Sequence, residues 1–222
     1  MTIKPLLPPV TPPIIPVKPV LPETQTAGIL FTIGAYAAIL GVFFLALFLM
    51  LKGMKKEMKI SMPLAFLIGG GIGLSILLLF GTTLTAVKGL ILELILFYAS
   101  LSDLGKREVP NCVSVMIFIL AFVGFDSSRL PSMLIGAAAV FLPQILISAI
   151  LPKKGLGGAD IKISTALAFL FGVEKGIFAL IVGLLVGVVV ELILRKLKKV
   201  GKDEAFPLVP FLGFGAMLAF YL

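Results

Sequence analysis

The chemistry open to this chain is set by four aspartates, one cysteine and no histidine. Without histidine, a nucleophile–His triad has no base. A single cysteine, Cys112, excludes a disulfide framework and a Cys/His zinc site. Of the aspartates, Asp126 sits in "FDSSRLP", which reads as turn chemistry, and Asp203 sits in the charged stretch "KKVGKDEAF". Asp103 and Asp160 differ, because each marks the edge of an apolar run. Two glycines, Gly157 and Gly158, precede Asp160, and Lys162 follows it. Ionisable groups at membrane depth are costly and serve function. Two carboxylates brought close together do not both ionise easily, so one keeps a proton and the other remains a base. Such a pair polarises a peptide carbonyl and activates a water with no metal or other cofactor. Aspartyl hydrolysis is the main chemistry left to these residues.

The elements that must position the pair are membrane helices. The chain has 222 residues, 59% of them apolar, and a mean hydropathy of +1.18, which excludes an ordinary soluble domain. The expected fold class is all-α, a polytopic membrane helical bundle of about eight transmembrane helices over residues 27–51, 63–81, 86–102, 112–125, 130–151, 160–172, 176–194 and 206–222. Residues 1–26, with their dense prolines, form a Pro-rich extracytoplasmic tail ahead of a membrane domain at 27–222. The net charge of +8 resides in short loops with no basic face and no aromatic interleaving, so nucleic acid is not an expected partner, whereas membrane lipid is.

The cations also predict orientation. Loops after odd-numbered spans hold Lys52, Lys55, Lys56, Lys59, Lys106, Arg107, Lys153, Lys154, Lys162, Arg195, Lys196, Lys198, Lys199 and Lys202. The other side holds only Lys4, Lys18, Lys88, Arg129 and Lys175. That bias places the odd loops, and with them Asp103 and Asp160, in the cytoplasm and both termini outside. Spans three, four and six have short apolar runs, which predicts a water-filled recess below the cytoplasmic surface for the two acids.

The residues around the two aspartates carry a resemblance. "DLGKREVPN" (103–111) resembles the first catalytic-aspartate motif of the type IV prepilin peptidases, and "GGADIK" (157–162) is similar to their second, the G-x-G-D-x-K box of GxGD membrane aspartyl proteases. "FPLVPFLGFGAML" (206–218) resembles their closing Pro-Phe-Leu-x-x-Gly signature. The motifs stand in family order across roughly residues 60–222. Ala159 departs from the pattern where the family has glycine. Bacterial members carry a four-cysteine insertion between spans one and two, associated with N-methylation; here that loop is only "KGMKKEMKISM". The chain therefore resembles the short archaeal prepilin or preflagellin peptidases more closely.

The resemblance implies a membrane aspartic endopeptidase of the cell membrane that removes a short basic leader from pilin-like or archaellin-like precursors on the cytoplasmic side, without methyl transfer. It implies Asp103 and Asp160 as the catalytic dyad. Gly157 and Gly158 would let substrate backbone approach, Lys162 would orient a carboxylate or meet a lipid phosphate, and Pro110 and Asn111 would shape the exit of the first catalytic loop and cap the fourth span. No metal or cofactor is implied. The rival readings are an ion- or proton-coupled transporter using the same two aspartates and a presenilin-like protease cutting within helices.

Other polar residues read as structural. Glu93 is expected to make a buried polar contact with another span, Glu191 to pair with Arg195 at i+4, and "GGGIG" (69–73) to let helices pack closely. Helix dipoles predict the shared proton on Asp103, at a helix C-terminus, and the charge on Asp160, at an N-terminus.

Overall fold

The structure is a computed structural model and is described for residues 23–56, 58, 60–150, 157–197 and 206–222. It is a helical bundle, with no strand among the described residues. The helices are α1 (Glu23–Met54), α2 (Met62–Phe80), α3 (Leu84–Lys106), α4 (Cys112–Leu120), α5 (Leu130–Ile150), α6 (Gly158–Phe171), α7 (Val173–Lys196) and α8 (Val209–Tyr221), with one 3₁₀ turn at Ser127–Arg129. The Pro-rich tail up to residue 22, Asp203 and several loop cations lie outside the described residues.

Local chemistry explains the helix ends. Pro63 lies in the first turn of α2, which stops at Gly81 with φ 65°; proline is tolerated where a helix has no partner for the N–H, and glycine where φ turns positive. Thr83 caps α3 by accepting the Ala86 amide at 3.2 Å. Gly172, with φ 84°, breaks the chain between α6 and α7. Pro210 lies in the first turn of α8.

Among the described residues, five helical segments are long and apolar enough to cross a membrane: 30–54, 62–80, 84–106, 127–150 and 173–196. The expected shortness of the third span is corrected. α3 has 23 residues, and Asp103 lies inside its last turn, because the Arg107 amide still donates to the Asp103 carbonyl at 3.0 Å. Polar Ser102 and Asp103 ended the apolar run without ending the helix. α4, with 9 residues, and α6, with 14, are short as expected. α8 is short too, at 13 residues. At about 1.5 Å of rise per residue these three fall short of a hydrocarbon core of about 30 Å.

Small residues draw the helices together. A Cβ on Gly69 would lie 3.1 Å from Leu47 Cδ1, and one on Gly70 would lie 2.8 Å from Phe44 Cε1, so these two serve the α1–α2 contact, as expected, whereas one on Gly71 would meet nothing within 4 Å. Between α7 and α8, a Cβ on Gly215 would lie 2.7 Å from the Gly183 backbone nitrogen. Glu93 corrects another expectation. It is 2% exposed, and neither carboxylate oxygen has a hydrogen-bond partner. Its surroundings are apolar: a Cβ on Gly73 would meet Phe43 and Glu93 Oε2. Glu191 pairs with Arg195 at 2.7 Å as expected.

The helices alternate in direction. The last residues of α2, α6 and α8, the first part of α3 and of α7, and the segment between α4 and α5 line one common cavity. The start of α8 meets the end of α3 at the other end of the bundle, where Val209 touches Asp103.

Candidate active site

Asp103 and Asp160 come from helices that share neighbours. α3 packs on α4 and α8, and α6 packs on the same two. At this end Asp103 is 8% exposed and its carboxylate accepts the Val209 amide at 3.0 Å. Pro210 in the first turn fixes where α8 begins, so the Val209 N–H is one of the orphan donors of a helix N-terminus. The guanidinium of Arg107 acts on Asp103 as an opposite charge.

Asp160 lies in the first turn of α6 and is partly buried. The Gly157 amide donates to its carboxylate, and the charge of Asp103 acts on it. The structure therefore brings the two sequence-selected acids into one electrostatic environment. Each carboxylate also faces a helix N-terminus: Asp160 that of its own α6, and Asp103 that of α8. This corrects the dipole argument. The C-terminal end of α3 disfavours a charge on Asp103, but the start of α8 favours one, so helix dipoles do not divide the proton between the pair.

Loop 107–111 is pinned on both sides. The Ser102 hydroxyl donates to the Glu108 carbonyl at 2.7 Å. The Val113 amide donates to the Pro110 carbonyl at 3.1 Å. Arg107 makes the turn with φ 58°. Asn111 occupies the N-cap position of α4 but its side chain makes no cap hydrogen bond, which corrects its expected capping role. Its Oδ1 instead accepts from Lys162 Nζ at 2.9 Å. One bond thus ties the first motif to the second.

The two glycines ahead of Asp160 are unlike. A Cβ on Gly157 would lie 2.8 Å from Asp160 Oδ2, whereas one on Gly158 would meet nothing within 4 Å. The first makes room for the carboxylate itself; the second leaves open backbone. Beside them, Lys162 borders a largely apolar groove of about 310 Å³ whose walls include Phe118, Phe141 and Phe169.

Sequence reasoning missed two supports. One is the Val209 amide, for which Pro210, the fifth residue of a recognised motif, was the available signal. The other is Ser164, whose hydroxyl lies 2.7 Å from the Asp160 carbonyl and 2.9 Å from Gln144 Oε1. Gln144 is 4% exposed and anchors the first turn of α6 to α5; a lone Gln inside an apolar run was the signal. Away from the site, Asp126 accepts from the Ser128 hydroxyl at 2.7 Å and the Ser128 amide at 3.0 Å. Those bonds, side chain first, hold its carboxyl below the usual carboxylate range. It is turn chemistry, as expected. Among the described residues no three His, Cys, Asp or Glu side chains gather as a metal site would require.

Residues 90–192 match the model of the type IV leader peptidase family. That segment contains Asp103, Asn111, Gly157, Asp160 and Lys162, and it bears out the resemblance carried by the motifs. Over 148 residues the chain is 28% identical to a "Prepilin leader peptidase/N-methyltransferase" of Bacillus subtilis (strain 168), covering 64% of this chain and 58% of that protein. The chain thus spans less than two thirds of the length of that relative. No solved structure matches it.

Proposed function

We propose that this relative of the type IV leader peptidases is a membrane-embedded aspartyl endopeptidase that removes the short basic leader of prepilin-like or preflagellin-like precursors. The observation that carries the reading is the placement of Asp103 and Asp160, two aspartates inside the family-matched segment, where the charge of one acts on the other. In the resting site one carboxylate is ionised and the other holds a proton. The ionised carboxylate takes a proton from a water. The resulting hydroxide attacks the peptide carbonyl carbon while the protonated partner gives its proton to the carbonyl oxygen. When the C–N bond breaks, the protonated carboxyl gives its proton to the departing amine while the ionised one takes a proton from a hydroxyl of the tetrahedral diol, which leaves the carboxylic acid product and restores one charge and one proton on the pair. No group outside the chain is needed for that balance.

Lys162, held by Asn111, sets the opening of the α6 turn that carries Asp160. The apolar groove beside it suits the apolar helix that follows the leader in such precursors. The dyad would face the cytoplasm of the cell membrane, in keeping with the bias of Lys and Arg. α1 and α2 are joined by residues 55–61 alone, too short a link for a four-cysteine module, so cleavage would leave an unmethylated N-terminus.

The test is co-expression with precursors that carry a basic leader before an apolar helix, followed by N-terminal sequencing and mass measurement of the products. A new N-terminus at the leader–helix boundary, without an added methyl, is the expected result. Uncut precursors, or cuts inside the helix, would sink the reading.

A further inference from the structure

The end of the bundle away from Asp103 holds a cavity of about 300 Å³. Three cations from three elements line it: Lys88 on α3, Arg129 in the 3₁₀ turn before α5 and Lys175 on α7. No aspartate or glutamate lines it. Lys88 is half-buried and feels Arg129 as a like charge. Its ammonium donates to the Val123 carbonyl at 3.0 Å, which fixes the side chain but leaves further N–H donors for another acceptor. Asp126 acts on Arg129 as an opposite charge while its oxygens accept from Ser128, so one carboxylate faces three cations and the region stays net positive.

Three cations line one recess, Lys88 half-buried and Arg129 and Lys175 exposed, and they repel one another unless an anion joins them. The walls beneath are aromatic, with Phe171 and Phe220 among them. A small hydrated anion would leave those walls wet, whereas an amphiphile covers both. Lys88 lies 15 residues before Asp103 on the same helix, which at about 1.5 Å per residue separates this cavity from the dyad by about 22 Å.

We propose that this cavity is a binding site for an anionic phospholipid. The head-group phosphate sits among Lys88, Arg129 and Lys175, and an acyl chain runs along Phe171 and Phe220. The site is separate from the proposed peptidase centre and does not depend on it. Phosphate recognition by a basic pocket between transmembrane helices is physically well suited to this, because each cation near a membrane surface strengthens anionic-lipid binding severalfold.

The experiment uses the full chain in phosphatidylcholine nanodiscs doped with spin-labelled phosphatidylglycerol, and reads the motionally restricted fraction. Lys88→Gln should weaken association about fivefold, and the triple change Lys88→Gln, Arg129→Gln and Lys175→Gln by more than about twentyfold. Lys88→Arg should retain binding, which separates lost charge from a misfolded helix. Lys52→Gln, Lys55→Gln and Lys56→Gln together, which remove the same charge near the opposite end, should leave binding unchanged. Wild-type binding by the triple variant overturns the proposal, and so does an equal loss from the far-end variant. Complete displacement of the label by millimolar inorganic phosphate would overturn it as well, because a small-anion site would then explain the cations.

Discussion

Lys162 Nζ donates to Asn111 Oδ1 at 2.9 Å across a separation of 51 residues. The contact joins the turn that carries Asp160 to the loop that follows Asp103. Both side chains are exposed, so the bond contributes little to stability and its value lies in position. Lys162→Met and Asn111→Ala should each slow cleavage about tenfold with the helical content intact, as small displacements of reacting groups do. The double variant should be no slower than either single one, because both remove the same bond. Single-turnover cleavage assays give the comparison. Effects that multiply would show that the two residues act separately.

The unlike surroundings of the two glycines give a second expectation. Gly157→Ala places a methyl 2.8 Å from Asp160 Oδ2, so the carboxylate must rotate or the helix start must shift. Cleavage should fall at least about tenfold, as small displacements of reacting groups do. Gly158→Ala meets nothing within 4 Å and adds a better helix former to the first turn of α6, so it should keep near-normal turnover. A dead Gly158→Ala variant with an intact fold would instead place substrate backbone against that position, the role the sequence alone suggested for both glycines.

Much of this arrangement was legible because the two aspartates are marked by scarcity. With no histidine and one cysteine in the chain, two aspartates at helix edges stood out, and the motifs around them named their partners. The helix count followed from apolar runs and charged loops. The misses have a common physical cause: an apolar run ends where polarity begins, but a helix ends where its hydrogen bonds do. Ser102 and Asp103 are polar and still helical, so α3 extends past its apolar text. Glu93 was assigned a partner that the packing does not supply. The Val209 amide escaped because backbone donors have no residue type to read, and only Pro210 hinted at a helix start there.

Close packing of α7 on α8 sets where that donor stands. A methyl on Gly215 would come within 2.7 Å of the Gly183 backbone nitrogen, and backbone does not yield as a flexible side chain does. Gly215→Ala should destabilise the bundle by about 1–3 kcal/mol, the usual range for overpacking, and lower its melting temperature in detergent. It should also slow cleavage, because α8 carries Val209 against Asp103. A variant with unchanged melting would show that the two helices separate without cost.

Orientation is testable independently of chemistry. Lys88, Arg129 and Lys175 gather at one end of the bundle, and these are the described cations that the charge bias assigns to the outside. Reporter fusions after Lys88, Arg129 and Lys175 should read outside, and fusions after Lys59, Arg107 and Lys199 should read cytoplasm. A consistent inversion would remove the cytoplasmic peptidase.

The dyad itself carries the sharpest expectation. An amide in place of either carboxyl can neither accept the proton of water nor return one to the substrate. Asp103→Asn and Asp160→Asn should therefore each reduce cleavage by more than about a thousandfold, and the double variant should be no worse than either single, as groups that act as a unit behave. Membrane insertion should survive, because Asn still accepts the hydrogen bonds that Val209 and Gly157 donate. The wild-type rate should pass through a maximum with pH, falling when both carboxyls are protonated and again when both are ionised, with the two limbs belonging to the pair. Since a helix N-terminus faces each acid, infrared difference spectra of labelled carboxyls should show the protonated band diminished by either Asn variant and abolished by the double one. A band that disappears with Asp103→Asn alone would restore a fixed proton on Asp103, and near-normal turnover in either single variant would remove that residue from the catalytic pair.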